Sequence, residues 1–341
     1  MSEQSYLQWL VEETPTSWWH DSGDPAELKT ALAHGASGAT TNPVLGAQAL
    51  AAHPEEWDDL LSARPADAKS EDRAEQLMAG VARRAAVTLE NAYQQTSGRE
   101  GYACAQVNPS LADNVDAMLQ IANRFHACAA NIAVKLPATA AGLDALEECA
   151  ARGITVTATV SFTVPQVLQI AERYQRGLAR LNSAKMPGQC FAVLMIGRLD
   201  DYLADVAKDV KATVSDTDIR QAGLAVTKRA YEIYNDRNYQ AVLLVAALRG
   251  TYHLTELAGA KLIMSVHPKF QQEFFESNLP REQLIDKPVD PQAIERLNQM
   301  QEFTRAYEPE GMQPEEFITY GATERTLSQF IDAGWSQLKQ M

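Results

Sequence analysis

Residues 101–160 read GYACAQVNPSLADNVDAMLQIANRFHACAANIAVKLPATAAGLDALEECAARGITVTATV, and this run decides the fold class. Short apolar stretches at 101–107, 131–136 and 154–160 are separated by two longer stretches of helical period. Val115, Met118, Ala122 and Phe125 share one face of the first, which Ser110 is expected to open; Leu143, Leu146 and Ala150 share one face of the second, closed by Gly153. Residues spaced three and four apart stack on one side of a helix, whereas strands of this length need only five to seven residues. Strand, helix, strand, helix, strand is the grammar of βαβ units, whose strands are parallel.

The same alternation extends outward. Further strands are expected at 17–21, 38–42, 189–196, 240–247 and 261–265, which brings the total to eight. Asp24-Pro25-Ala26-Glu27 is a helix start, with Pro25 in the first turn and Glu27 placed to reach back, and Gly35 suits a left-handed helix end. Ser70 is expected to open a long helix striped by Leu77, Val81, Ala85, Leu89 and Ala92, and Thr163-Val164-Pro165 to open another. Helices at 219–234 and 251–258 fill later crossovers, 308–316 reads as loop, and 324–341 as a terminal helix. The expected fold is therefore α/β, a (β/α)8 barrel forming a single domain over residues 1–341, with a C-terminal helical extension. An open doubly wound sheet is the alternative, but neither G-x-G-x-x-G nor a Walker A sequence supports it.

Composition narrows the function. The 341 residues are 46% hydrophobic and 22% charged, enough apolar material for one large core. The net charge of −14 argues against a nucleic-acid partner, since phosphate backbones need clustered Lys and Arg. Any anion bound here must be held by a few placed cations working against the overall field. No basic, apolar leader and no membrane-length apolar run is visible, so a cytoplasmic location is expected. Cys104, Cys128, Cys149 and Cys190 are widely spaced and read as reduced thiols, and the six histidines show no ligand spacing. No metal or cofactor is expected.

In a (β/α)8 barrel the chemistry sits at the C-terminal ends of the strands. Seven expected strands place polar groups there: Asp21, Thr40 with Thr41 and Asn42, Gln106 with Asn108, Lys135, Thr157 with Thr159, Arg198, and Arg249. Lys135 is the sharpest signal, because lysine inside an apolar strand is rarely buried without reason and desolvation would favour its nucleophilic neutral amine. The alternative is a strand-end lysine that reaches out to water. Asp21 could act as a general acid/base or cap a helix. Asn42 could orient a hydroxyl or shape the turn before Pro43. Arg198 and Arg249 could clamp a phosphate or form surface ion pairs. Trp18 and Trp19 could stack on a sugar, although core packing suits at least one of them better.

Several of these segments, in order, resemble the transaldolase superfamily. Asp21-Ser22-Gly23-Asp24 and Gly38-Ala39-Thr40-Thr41-Asn42-Pro43 are similar to its first two strand ends. Ala133-Val134-Lys135-Leu136-Pro137-Ala138-Thr139 is similar to its Schiff-base segment, Ile196-Gly197-Arg198-Leu199-Asp200 to its strand 6 motif, and Ala246-Ala247-Leu248-Arg249 to its strand 7 motif. The resemblance implies sugar or sugar-phosphate substrates, carbohydrate metabolism such as the pentose phosphate pathway, and a homodimer. It implies that Lys135 forms an iminium with a ketose, Asp21 moves the C4 hydroxyl proton, and Thr159 with Gln106 positions water. Thr40, Asn42, Thr157 and Met195 would line the substrate, and Arg198 with Arg249 would hold its phosphate.

The chain also departs from the pattern. Transaldolases usually carry Glu where this chain has Gln106, whereas the related fructose-6-phosphate aldolases carry Gln. Those aldolases have Tyr, and transaldolases Phe, where this chain has Met195. Thr157 replaces an Asn, and Val193 and Ala247 replace Ser residues. Losing hydroxyl partners is expected to alter substrate choice, toward a less hydroxylated ketose. Three readings follow: a transferase moving a dihydroxyacetone unit between sugar phosphates, a class I aldolase (a lyase) releasing free ketone, and a non-catalytic sugar-phosphate-binding barrel.

Overall fold

A computed structural model of the chain describes residues 4–63, 69–276 and 278–341. Eight strands, β1 (Ser17–Asp21), β2 (Gly38–Thr40), β3 (Tyr102–Gln106), β4 (Ile132–Pro137), β5 (Val156–Thr159), β6 (Cys190–Met195), β7 (Val242–Ala246) and β8 (Ile263–Val266), close into a barrel in chain order. Every neighbouring pair is parallel, including β8 with β1. Closure leaves no sheet edge to protect, and helices cover the outer face. The expected barrel and its helical extension are both present.

Element ends follow local chemistry more closely than the apolar runs suggest. β2 stops at Thr40, two residues early, because Asn42 becomes the cap of the helix Pro43–Ala52 and takes the Val44 and Leu45 amides on its side-chain oxygen. Ser110 does not open the helix after β3. It lies in a single 3-10 turn, Pro109–Leu111, and Asn114 caps the helix Val115–His126 four residues later. Asp24 caps Pro25–Ala33 as expected, but the Glu27 carboxylate is taken by the Ser22 hydroxyl at 2.5 Å and does not reach back. Gly35 and Gly153 hold φ of +93° and +78°, left-handed turns that glycine adopts without steric cost. Ser70 begins the helix Ser70–Gln95, with Leu77, Val81, Ala85 and Leu89 buried. The expected helix at 251–258 is reduced to Tyr252–Thr255.

The C-terminal segment is not one helix. It runs as Gly321–Phe330, a π-helical turn Ile331–Trp335, and Ser336–Gln340. Glu71 ties it down, accepting from the Trp335 indole at 2.8 Å and the Lys339 ammonium at 2.5 Å, and also from the Asn108 amide at 3.1 Å. Burial acts upward on the Glu71 carboxyl but is outweighed by these three donors, which hold it below the usual carboxylate range. At Gly334 a Cβ would stand 2.6 Å from the Val44 amide nitrogen, so the extension lies directly on the start of the helix after β2. Among the described residues no helix is long and apolar enough to cross a membrane.

Trp18 and Trp19 are both fully buried, Trp19 meeting the Phe191 ring edge-on at 4.7 Å. Gly38 exists to admit that indole: a Cβ there would lie 2.5 Å from the ring. Gly38→Ala is therefore expected to cost about 1–3 kcal/mol, the usual penalty for overpacking a filled core. A thermal melt should show a lower midpoint, and an unchanged midpoint would mean that the barrel floor repacks freely.

Candidate active site

β4 places Lys135 in register with Gln106 on β3 and Thr157 on β5. Paired residues of parallel strands share a face, so the three side chains form one band across the barrel interior. The Lys135 amine rises from this band and donates to the Thr41 carbonyl at 3.0 Å. It is buried, and among the described residues no carboxylate lies within ion-pair distance. One hydrogen bond to a charged group returns about 1.5–3 kcal/mol, while burying an ion costs several. Desolvation wins: burial drives the Lys135 amine below its ordinary range, Cys104 and Asp21 oppose the shift, and Arg198 reinforces it.

Asp21 closes β1 in register with Thr40, whose hydroxyl donates to its Oδ1 at 2.7 Å. Thr40 has one hydroxyl proton, so the 2.5 Å contact between Thr40 Oγ1 and Ser265 Oγ must use the Ser265 proton. Ser265, Thr40 and Asp21 thus form a directed chain that orients the carboxylate. Thr159 ends β5, its hydroxyl 3.9 Å from the Met195 sulfur, and the chain leaves the sheet at once through Val160. Val160 has φ +54°, a costly conformation for a β-branched residue, and Ala247 (φ +59°) ends β7 in the same way. Both departures lie at the mouth.

Lys135, Asp21, Thr40, Asn42, Thr159, Met195, Arg198 and Arg249 all line one cavity of about 220 Å³ at the C-terminal end of the barrel. Gln106 and Thr157 are absent from that lining. Thr157 is packed against the Cys104 thiol at 3.4 Å, and the Gln106 side-chain oxygen is buried with no hydrogen-bond partner among the described residues. Asn108, also a strand-end candidate, is engaged with Glu71. Within the lining, Val193 and Met195 of β6 and Leu244 and Ala246 of β7 are apolar, with Leu248 just beyond, whereas Asp21, Thr40, Thr159 and Ser265 of β1, β2, β5 and β8 and Asn42 past β2 bring carboxylate, hydroxyls and amide.

The two arginines differ. Arg249 is held by Asp201, with Nε 3.2 Å from Oδ1 and Nη2 2.5 Å from Oδ2. Its amide donates to His253 Nδ1 at 3.2 Å, so that nitrogen carries no proton and Nε2 donates to Asp200 at 2.9 Å. Gly197, just past β6, makes room for the arginine stem, since a Cβ there would meet Arg249 Cγ at 2.5 Å. Arg198 sits in the first turn of the helix Ile196–Val210, not in β6, and burial followed by the Arg249 charge pulls its guanidinium below the ordinary range.

The expected set missed β8, the C-terminal segment and the helix after β2. Ser265, His267, Phe270, Gln329, Val44 and Leu45 also line the cavity. Period-two alternation from Ile263 through Ser265 to His267 was available to find the β8 pair; nothing local marks Gln329.

The profile of the Transaldolase/Fructose-6-phosphate aldolase family matches residues 18–333, all eight strands bar the first residue of β1. The chain belongs to that family. Among its relatives, the transaldolase of Neisseria gonorrhoeae is 29% identical over 208 residues, 60% of this chain and 58% of the relative. The transaldolase of Thiobacillus denitrificans is 29% identical over 236 residues, 67% and 65% of the two chains. Transaldolase 1 of Streptomyces avermitilis is 30% identical over 249 residues, 67% and 64%. The chain thus spans less than two thirds of the length of these relatives. Lys135 and Asp21 share their cavity with apolar side chains from β6 and β7.

The lowered Lys135 amine has a pH signature. Its neutral form gains population as pH rises through the lowered value, so carbonyl capture should plateau below the roughly 10.4 of an ordinary lysine. Borohydride trapping of dihydroxyacetone on Lys135, followed by peptide mass spectrometry across pH, checks this. A rise that continues to the pH of surface lysines would contradict it.

Proposed function

We propose that this protein transfers a dihydroxyacetone unit between sugar phosphates through a Schiff base on Lys135. The observation that carries the reading is the buried amine with a single backbone acceptor, sharing a cavity with an oriented carboxylate. A site made only to bind an anion has no use for such an amine, because burial works against the charge that would do the binding.

In this scheme the neutral Lys135 amine adds to the ketose C2 carbonyl, and loss of water gives an iminium. Asp21 takes the C4 hydroxyl proton as the C3–C4 bond breaks, and the bonding pair passes to the iminium to leave an enamine and a free aldose. The enamine carbon then adds to an acceptor aldehyde, which regains the proton from Asp21, and water releases the new ketose. Thr159 and Gln106 would guide the water, Thr40 and Asn42 the dihydroxyacetone hydroxyls, and Arg198 with Arg249 the phosphate. Thr157 would act from beneath the lysine.

The apolar wall supports a refinement of substrate choice. Val193, Met195, Leu244 and Ala246 cannot pair a hydroxyl, and an unpaired buried hydroxyl costs about 1–3 kcal/mol. The favoured ketose or acceptor should therefore carry fewer hydroxyls on the β6–β7 side. The lyase reading is supported by Gln106, the residue type that the related fructose-6-phosphate aldolases carry at this position.

Asp21→Asn should still trap dihydroxyacetone on Lys135 but lose about 10²–10⁴-fold in ketose cleavage. Lys135→Met should lose both. A cleavage rate in Asp21→Asn close to that of the unaltered protein would remove Asp21 from the mechanism. Product formation with and without an acceptor aldehyde separates transferase from lyase: dependence on acceptor marks the transferase, indifference the lyase.

A further inference from the structure

Arg198 is held in an unusual way. Its Nη1 donates to the side-chain oxygen of Gln329, and its guanidinium lies over the Phe330 ring at 5.3 Å. Among the described residues no carboxylate stands within ion-pair distance of it, whereas Arg249 beside it is forked onto Asp201. Both arginines and Gln329 line the same cavity. Gln329 belongs to the last turn of Gly321–Phe330, and the helix widens into its π turn immediately afterward. That turn is seated by Gly334 against Pro43 and Val44 and by the Glu71 contacts to Trp335 and Lys339.

We infer that Gln329 is a specificity-determining residue: it holds Arg198 with a neutral acceptor and so keeps the cation's charge available to an anionic end of the substrate. A carboxylate in its place would position the guanidinium equally well but cancel its field, as Asp201 largely does for Arg249. An amide is displaced by an anion at little cost, because a charge-assisted bond to the guanidinium is about twice as strong as the neutral one it replaces. The freed amide retains two N–H donors that can turn to the same anion. The C-terminal extension thereby completes the anion subsite from outside the barrel. The inference rests on the Schiff-base reading for what the rest of the substrate does, but not for the anion itself.

The test compares inorganic phosphate binding by calorimetry at low ionic strength in the unaltered protein, Gln329→Glu and Gln329→Ala. Gln329 is exposed at the cavity rim, so both variants should fold. Gln329→Glu should weaken phosphate by at least about tenfold, because it sets like charge against the ligand. Gln329→Ala should weaken it by less than about fivefold, the loss of one neutral contact. Equal binding by Gln329→Glu and the unaltered protein, or no phosphate binding by either, overturns the inference. Borohydride trapping of dihydroxyacetone on Lys135 in the unaltered protein reports separately: a missing adduct sinks the Schiff-base reading whatever phosphate does.

Discussion

The burial of one amine organises the mouth of this barrel. Lys135 lies between Gln106 and Thr157 because parallel register leaves it nowhere else to point, and its one hydrogen bond reaches across β3 to the Thr41 carbonyl. One hydrogen bond does not repay the desolvation of an ammonium, so burial lowers the Lys135 amine and favours its neutral form relative to an exposed lysine. That shift depends on closure of the barrel: an open sheet would expose the β4 end to water and remove the desolvation that drives it.

The elements around the amine divide the labour. β1, β2 and β8 supply a chain of hydroxyls that ends on the Asp21 carboxylate, each proton assigned by the single donor each hydroxyl owns. β6 and β7 supply an apolar surface and, just beyond their ends, two arginines in different electrostatic states. Strained backbone at Val160 and Ala247 lets β5 and β7 stop abruptly at the mouth and leaves the loops there free to carry function.

Residue type and period carried much of this into view. The apolar stripes of 115–125 and 143–150 marked their helices, and Asp21, Lys135, Arg198 and Arg249, singled out by their motifs, line one cavity. Boundaries were less legible where a polar residue could serve two purposes. Asn42 ends β2 by capping a helix, and Asn114, not Ser110, starts the helix after β3, because a capping side chain acts through geometry that alternatives in sequence share.

The sequence by itself determined the eightfold alternation of strand and helix and the presence of a lysine, a carboxylate and two arginines at strand ends, since these follow from local period and residue chemistry. Only the tertiary structure decided that Thr157 and Gln106 sit outside the cavity lining, that Ser265 orders Asp21 through Thr40, and that Gln329 meets Arg198. Those pairings join residues 225 and 131 positions apart. Contacts at such separation depend on how the barrel closes and where the C-terminal segment lies on it, and no local pattern encodes either.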